Sequence, residues 1–61
     1  MIYRPGQTVP VSGIYNVVDI YGRYMGRQIT SEERETFPAT IHGTSEHGFA
    51  LYQQTTHLRR F

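Results

Sequence analysis

IYNVVDIY, residues 14–21, is rich in β-branched and aromatic residues and contains no strong helix stop, which predicts a strand. Successive side chains of a strand point to opposite faces, so Tyr15 and Val17 share one face while Ile14 and Val18 share the other. Both faces are partly apolar, and a strand of that kind belongs in the middle of a small sheet rather than at its rim.

Upstream, YRPGQTVPVSG (residues 3–13) is dominated by backbone punctuation. Pro5-Gly6 fits a type II turn, because proline presets φ at the second turn position and glycine accepts a positive φ at the third. Pro10 lacks the N–H that a central strand needs, and Ser12-Gly13 gives a second turn signal, so residues 7–12 read as a short edge segment between two turns.

Downstream, Gly22 and Gly26 flank Arg23, Tyr24 and Met25, predicting a hairpin connection into a second strand near residues 27–30. Thr30 and Glu33 have capping-box spacing, but Pro38 limits any helix there to a single turn. Residues 43–45, Gly-Thr-Ser, read as a loop, and the alternation of GFALYQQTT from Gly48 predicts a last strand with Phe49 and Leu51 on one face. Tyr15, Phe49 and Leu51 are the expected core. The expected fold is all-β: a small antiparallel sheet or SH3-like barrel of three to five short strands with at most one helical turn. It forms a single domain over residues 1–61, with 57–61 a frayed tail.

A chain of 61 residues holds one domain at most, and at that size only about 60% of the unfolded surface is buried on folding. Small domains commonly add disulfides or a structural metal, yet this one has no cysteine, which removes both a disulfide framework and a thiolate zinc site. Lack of cysteine suits a reducing compartment, and MIYRPGQ has neither the basic nor the apolar segment of a secretory signal, so a cytoplasmic location is expected. No apolar run approaches the roughly 18 residues of a membrane-spanning helix. Net charge is only +1, which argues against nucleic-acid binding by electrostatics alone. All six basic residues are arginine, a residue suited to bidentate pairing and aromatic stacking.

Tyr3-x-Pro5-Gly6-Gln7-x-x-Pro10-x-Ser12-Gly13-x-Tyr15-x-Val17-Val18, followed by Glu35-x-Phe37-Pro38-x-Thr40 and Gly48-Phe49-x-Leu51, resembles the small bacterial proteins of the YjzC-like family. The resemblance spans nearly the whole chain. It implies a compact all-β domain and brings no catalytic residues with it. Related sequences place a Cys-x-x-Cys pair suited to zinc where this chain has Thr40 and Gly43, so the resemblance implies no zinc here. Ala39 stands where the second proline of the family pattern is expected, and the arginine-rich end is longer than the pattern. The residues the family pattern fixes are mainly those a backbone needs for turns and packing, so residues 3–19 read as frame rather than site.

Candidate chemistry is sparse. His42, Glu46, His47 and His57 match no standard zinc spacing and read as solvated loop residues. Ser12, Ser31 and Ser45 lie in no nucleophile elbow, and Glu32, Glu33 and Glu35 read as a solvated face. Gly22 and Gly26 form no phosphate loop. No catalytic residue, cofactor or metal is therefore expected, and an enzyme is not. The candidate binding patch is Tyr21, Arg23, Tyr24 and Arg27, extended by Arg59, Arg60 and Phe61, because aromatic rings and arginines fill protein pockets or stack on bases. The competing reading is an ordinary hairpin tip whose tyrosines lean on their own sheet. The functional expectation is a non-enzymatic module acting by contact with a protein partner or by self-pairing along an exposed strand edge, with no membrane role. Weak binding of single-stranded nucleic acid is the alternative.

Overall fold

The computed structural model describes residues 1–55. The tail expected at 57–61, with His57, Arg59, Arg60 and Phe61, lies outside the described residues. Three strands form one antiparallel sheet: β1 (Gly13–Val18), β2 (Tyr24–Ser31) and β3 (Gly48–Gln54), in the spatial order β2-β1-β3. The central position expected for residues 14–18 is the one observed. The sheet is open, so of the two expected all-β architectures the chain adopts the sheet and not the closed barrel.

Two boundaries differ from expectation around the first hairpin. β1 stops at Val18 instead of continuing to Tyr21, and β2 begins at Tyr24, earlier than residue 27. Asp19 is the cause. Its carbonyl accepts the Gly22 N–H at 2.9 Å, its N–H donates to the Arg23 carbonyl at 3.0 Å, and Gly22 sits at φ +83°. This is a three-residue loop whose last residue is left-handed, a conformation glycine adopts without steric cost. The signal was D-I-Y-G, with aspartate first and glycine fourth in a turn, and it overrides the β propensity of Ile20 and Tyr21.

Ser12-Gly13 makes no hairpin turn; Gly13 opens β1 instead. A Cβ at Gly13 would lie 2.6 Å from the Gln53 carbonyl oxygen and 3.0 Å from Leu51 Cδ1, so the glycine is there for close approach of β1 to β3. The Pro5-Gly6 turn forms as expected, closed by Gln7 N–H to the Arg4 carbonyl at 3.1 Å with Gly6 at φ +87°. Residues 32–35 form a turn without a helix: Glu35 N–H donates to the Glu32 carbonyl at 3.1 Å and Arg34 takes φ +77°. Thr30 is in β2, where it cannot act as a helix cap.

Both outer strands carry a bulge against β1. Met25, Gly26 and Arg27 together oppose Val17, and Tyr52 is an extra residue between Leu51 and Gln53. Such insertions bend and twist a strand, which lets a small sheet curl around its core.

That core lies on one face of the sheet. A second layer covers it, made of residues 6–9 laddered against residues 34–37: Gly6 N–H to Phe37 carbonyl, Phe37 N–H to Gln7 carbonyl, Val9 N–H to Glu35 carbonyl and Arg34 N–H to Val9 carbonyl, all 2.7–2.9 Å. Val9 and Phe37 thereby meet Tyr15, Val17 and Phe49 in a buried cluster joined by Tyr3 and Ile29. Phe37 stacks between Tyr3 and Phe49, with ring centroids 5.3 and 5.1 Å away, and meets Tyr15 edge-on at 4.9 Å. Tyr15 and Phe49 are core residues as expected. Leu51 is 43% exposed and is not, although it pairs with buried Tyr15 and so shares the face of Phe49.

Candidate functional site

The loop at residues 19–23 is held by one carboxylate. Asp19 Oδ1 accepts the N–H groups of Tyr21 and Arg23, each at 2.9 Å, and Oδ2 accepts Arg23 Nε at 3.1 Å. The Arg23 backbone N–H, first among these, holds the Asp19 carboxyl below the usual carboxylate range. Arg23 in turn lies over the Tyr21 ring, 5.2 Å from its centroid, so one side chain joins an ion pair to a cation–π contact. The result is a tip with a fixed backbone and exposed apolar and aromatic side chains: Ile20 is 64% exposed, Tyr21 79% and Tyr24 57%.

The four residues singled out from the sequence are only partly brought together. Tyr21 and Arg23 are in contact on the loop. Tyr24 opens β2 opposite Val18, on the sheet face that the covering layer leaves open. Arg27 belongs to the other face. Gln28 donates to Asn16 Oδ1 at 2.8 Å on the open side, so its neighbour Arg27 points toward the covered side, where Glu46 binds it. Arg59, Arg60 and Phe61 lie outside the described residues.

Sequence reading missed Asp19, which organises the loop, Ile20, which extends its apolar surface, and Glu46, which takes Arg27. The D-I-Y-G turn signal points to the first two. Glu46, expected to be a solvated loop residue, instead has a side chain only 6% exposed, and nothing local points to its partner Arg27, nineteen residues away along the chain.

The motif residues at the start of the chain hold the frame. Tyr3 exchanges both backbone hydrogen bonds with Phe49, at 2.7 and 2.8 Å. Gln7 Oε1 accepts the Arg4 N–H. Ser12 is buried, with its Oγ accepting Glu33 N–H at 2.8 Å and its carbonyl accepting Thr55 N–H at 2.9 Å. Tyr15 Oη donates to the Val11 carbonyl at 2.6 Å. Among the described residues no three His, Asp or Glu side chains converge as metal ligands, and no helix is long and apolar enough to cross a membrane. No family model, curated protein or solved structure matches this chain.

Proposed function

We propose that this chain is a non-enzymatic protein-interaction module that presents the β1–β2 hairpin loop to a protein partner. The observation that carries this reading is the pairing of exposed Ile20, Tyr21 and Tyr24 with a backbone that Asp19 holds in one conformation. Aromatic and arginine side chains dominate protein-contact energetics, and a preorganised loop loses little entropy on binding. The roles of Ser12 and Asp19 in holding backbone support a module without catalysis. Membership of the YjzC-like group of small bacterial proteins, and a cytoplasmic setting, belong to the same proposal and rest on the sequence motifs.

A protein partner is favoured over single-stranded nucleic acid because the cations near the tip already face carboxylates. Arg23 pairs with Asp19 and Arg27 with Glu46, leaving little local positive field for phosphates. The stacked Tyr21–Arg23 pair is the one feature that suits bases.

The test is chemical-shift mapping of the labelled protein against fractionated lysate and against an oligothymidine at low salt. Shifts of residues 20–24 with a protein fraction, abolished in Tyr21→Ala and Tyr24→Ala, support the proposal. Shifts with the oligonucleotide alone assign the second partner class instead, and no response at the loop rejects both.

A further inference from the structure

We infer that the free edge of β2 pairs antiparallel with the β2 edge of a second copy of this chain, extending the sheet across a two-fold axis. The two outer edges of the sheet are treated differently. On β3, Tyr3 takes the outward hydrogen bonds of Phe49. β2 is the longest strand, eight residues, and among the described residues its only strand partner is β1.

Chains that must avoid such pairing place lysine, proline or an unpaired charge on the exposed strand. Residues 28–31 of β2 are Gln, Ile, Thr and Ser, and the neighbouring Arg27 has its charge folded back onto Glu46. The bulge at Met25, Gly26 and Arg27 breaks the first half of the strand, leaving residues 28–31 as the regular segment.

Charge favours a second copy in one orientation. β2 follows Arg23, which gives only its Nε to Asp19 and keeps a side chain 74% exposed, so a short-range contact is open to it even though the pair is neutral at a distance; β2 then runs into a turn containing Glu32, Glu33, Arg34 and Glu35, which is acidic on balance. Antiparallel pairing about Ile29 sets the arginine end of each copy beside the acidic turn of the other, and does so twice; parallel pairing sets like beside like. The same register puts Ile29 opposite itself on the core side and Gln28 opposite Thr30 on the open side. With a net charge of +1, no long-range repulsion opposes association. The edge is short, so the dimer is weak and exchanging.

Sedimentation velocity over a series rising to millimolar protein tests this, with Q28K/T30K as the disrupting variant and Q28E/T30K as the charge-complementary one. Two like-charge pairs across the axis weaken dimerisation by about tenfold or more. The expected result is a wild-type dimer, lost in Q28K/T30K, retained in Q28E/T30K and unchanged in Tyr21→Ala, which separates this edge from the hairpin loop. A wild-type chain that stays monomeric, or a dimer indifferent to Q28K/T30K, overturns the inference. Should the double-lysine variant not fold, amide exchange of the wild type decides. Protection that rises with concentration at residues 28–31 supports the edge, and its absence there rejects it.

Discussion

Arg27 and Glu46 meet as a bidentate pair, Nε to Oε2 at 3.1 Å and Nη2 to Oε1 at 2.9 Å, tying β2 to the segment that leads into β3. The Glu46 side chain is only 6% exposed, and Oε1 also accepts the Ile41 N–H at 2.9 Å. One carboxylate therefore anchors both the strand and residues 41–46 of the loop that crosses the sheet. Bidentate geometry of this kind exceeds the usual surface ion pair.

Acid should release this latch. The Arg27 hydrogen bonds, then the Ile41 N–H, hold the Glu46 carboxyl below the ordinary range, and the Arg23 N–H does the same for Asp19. A carboxylate with a lowered folded pKa contributes stability that is full above its unfolded value, about 4.3 for glutamate, and is lost as pH falls through the folded value. The melting temperature is expected to hold from neutrality to about pH 5 and then fall. Glu46→Gln should melt lower than wild type at pH 7, by on the order of several degrees, and show a shallower acid limb. Thermal denaturation by circular dichroism across pH 2–7 checks both; a wild-type acid limb unchanged in Glu46→Gln sinks the assignment.

Phe37→Ala should leave the chain largely unfolded. The ring is buried between Tyr3 and Phe49 and meets Tyr15 edge-on, so its removal empties the middle of the only core described. Truncating a buried phenylalanine costs about 3–5 kcal/mol. Domains of this size have total stabilities of that order. The amide spectrum of Phe37→Ala should collapse to random-coil dispersion at 25 °C, whereas Phe37→Leu should remain folded with a lowered melting temperature.

Tyr15 gives an alkaline counterpart. Burial pushes its phenol above the ordinary value, and only the protonated phenol can donate to the Val11 carbonyl. The neutral form is the one the fold holds, so stability is full below the unfolded pKa of about 10 and is lost as pH rises through the folded value. Tyr15→Phe should cost about 1 kcal/mol at neutral pH through the lost hydrogen bond and flatten the decline above about pH 10. Urea melts at pH 7 and pH 11 measure the two effects separately.

These residues show what a single chain reveals before it folds. Tyr15, Val17 and Val18 announced a central strand because alternation and apolarity on both faces are local properties, and Pro5-Gly6 announced its turn for the same reason. Asp19 was equally local but was masked by the β-prone Ile20 and Tyr21 on the far side of it. Phe37 and Val9 carry no periodic pattern, since each sits alone in a turn-rich segment and becomes core only when residues 6–9 ladder against residues 34–37. Leu51 looked like core by alternation, and it does lie on the face of Phe49, opposite Tyr15; alternation fixes the face but not whether a second layer covers it there. For the site, Tyr21 and Arg23 were legible as a pair, and alternation alone sets Arg27 on the face opposite Tyr24, but the carboxylate that takes Arg27 is distant in sequence.

Arg34 offers the reverse kind of variant, one that should stabilise. It is the only non-glycine among the described residues with a positive φ, at +77°, and its side chain is 89% exposed, with only a long 3.9 Å approach to Glu33. An L-residue in the left-handed region carries about 1–2 kcal/mol of strain. Glycine removes that strain while adding roughly 0.5–1 kcal/mol of unfolded-state entropy. The backbone bonds that fix the conformation, Arg34 N–H to the Val9 carbonyl and Glu35 N–H to the Glu32 carbonyl, survive the change because neither uses the side chain. Arg34→Gly should therefore gain about 0.5–1 kcal/mol, and Arg34→Val should lose more than that, since a β-branched residue tolerates this region least. Urea denaturation of the pair measures the difference; an Arg34→Gly variant no more stable than Arg34→Val would show that the turn is not held in the left-handed conformation.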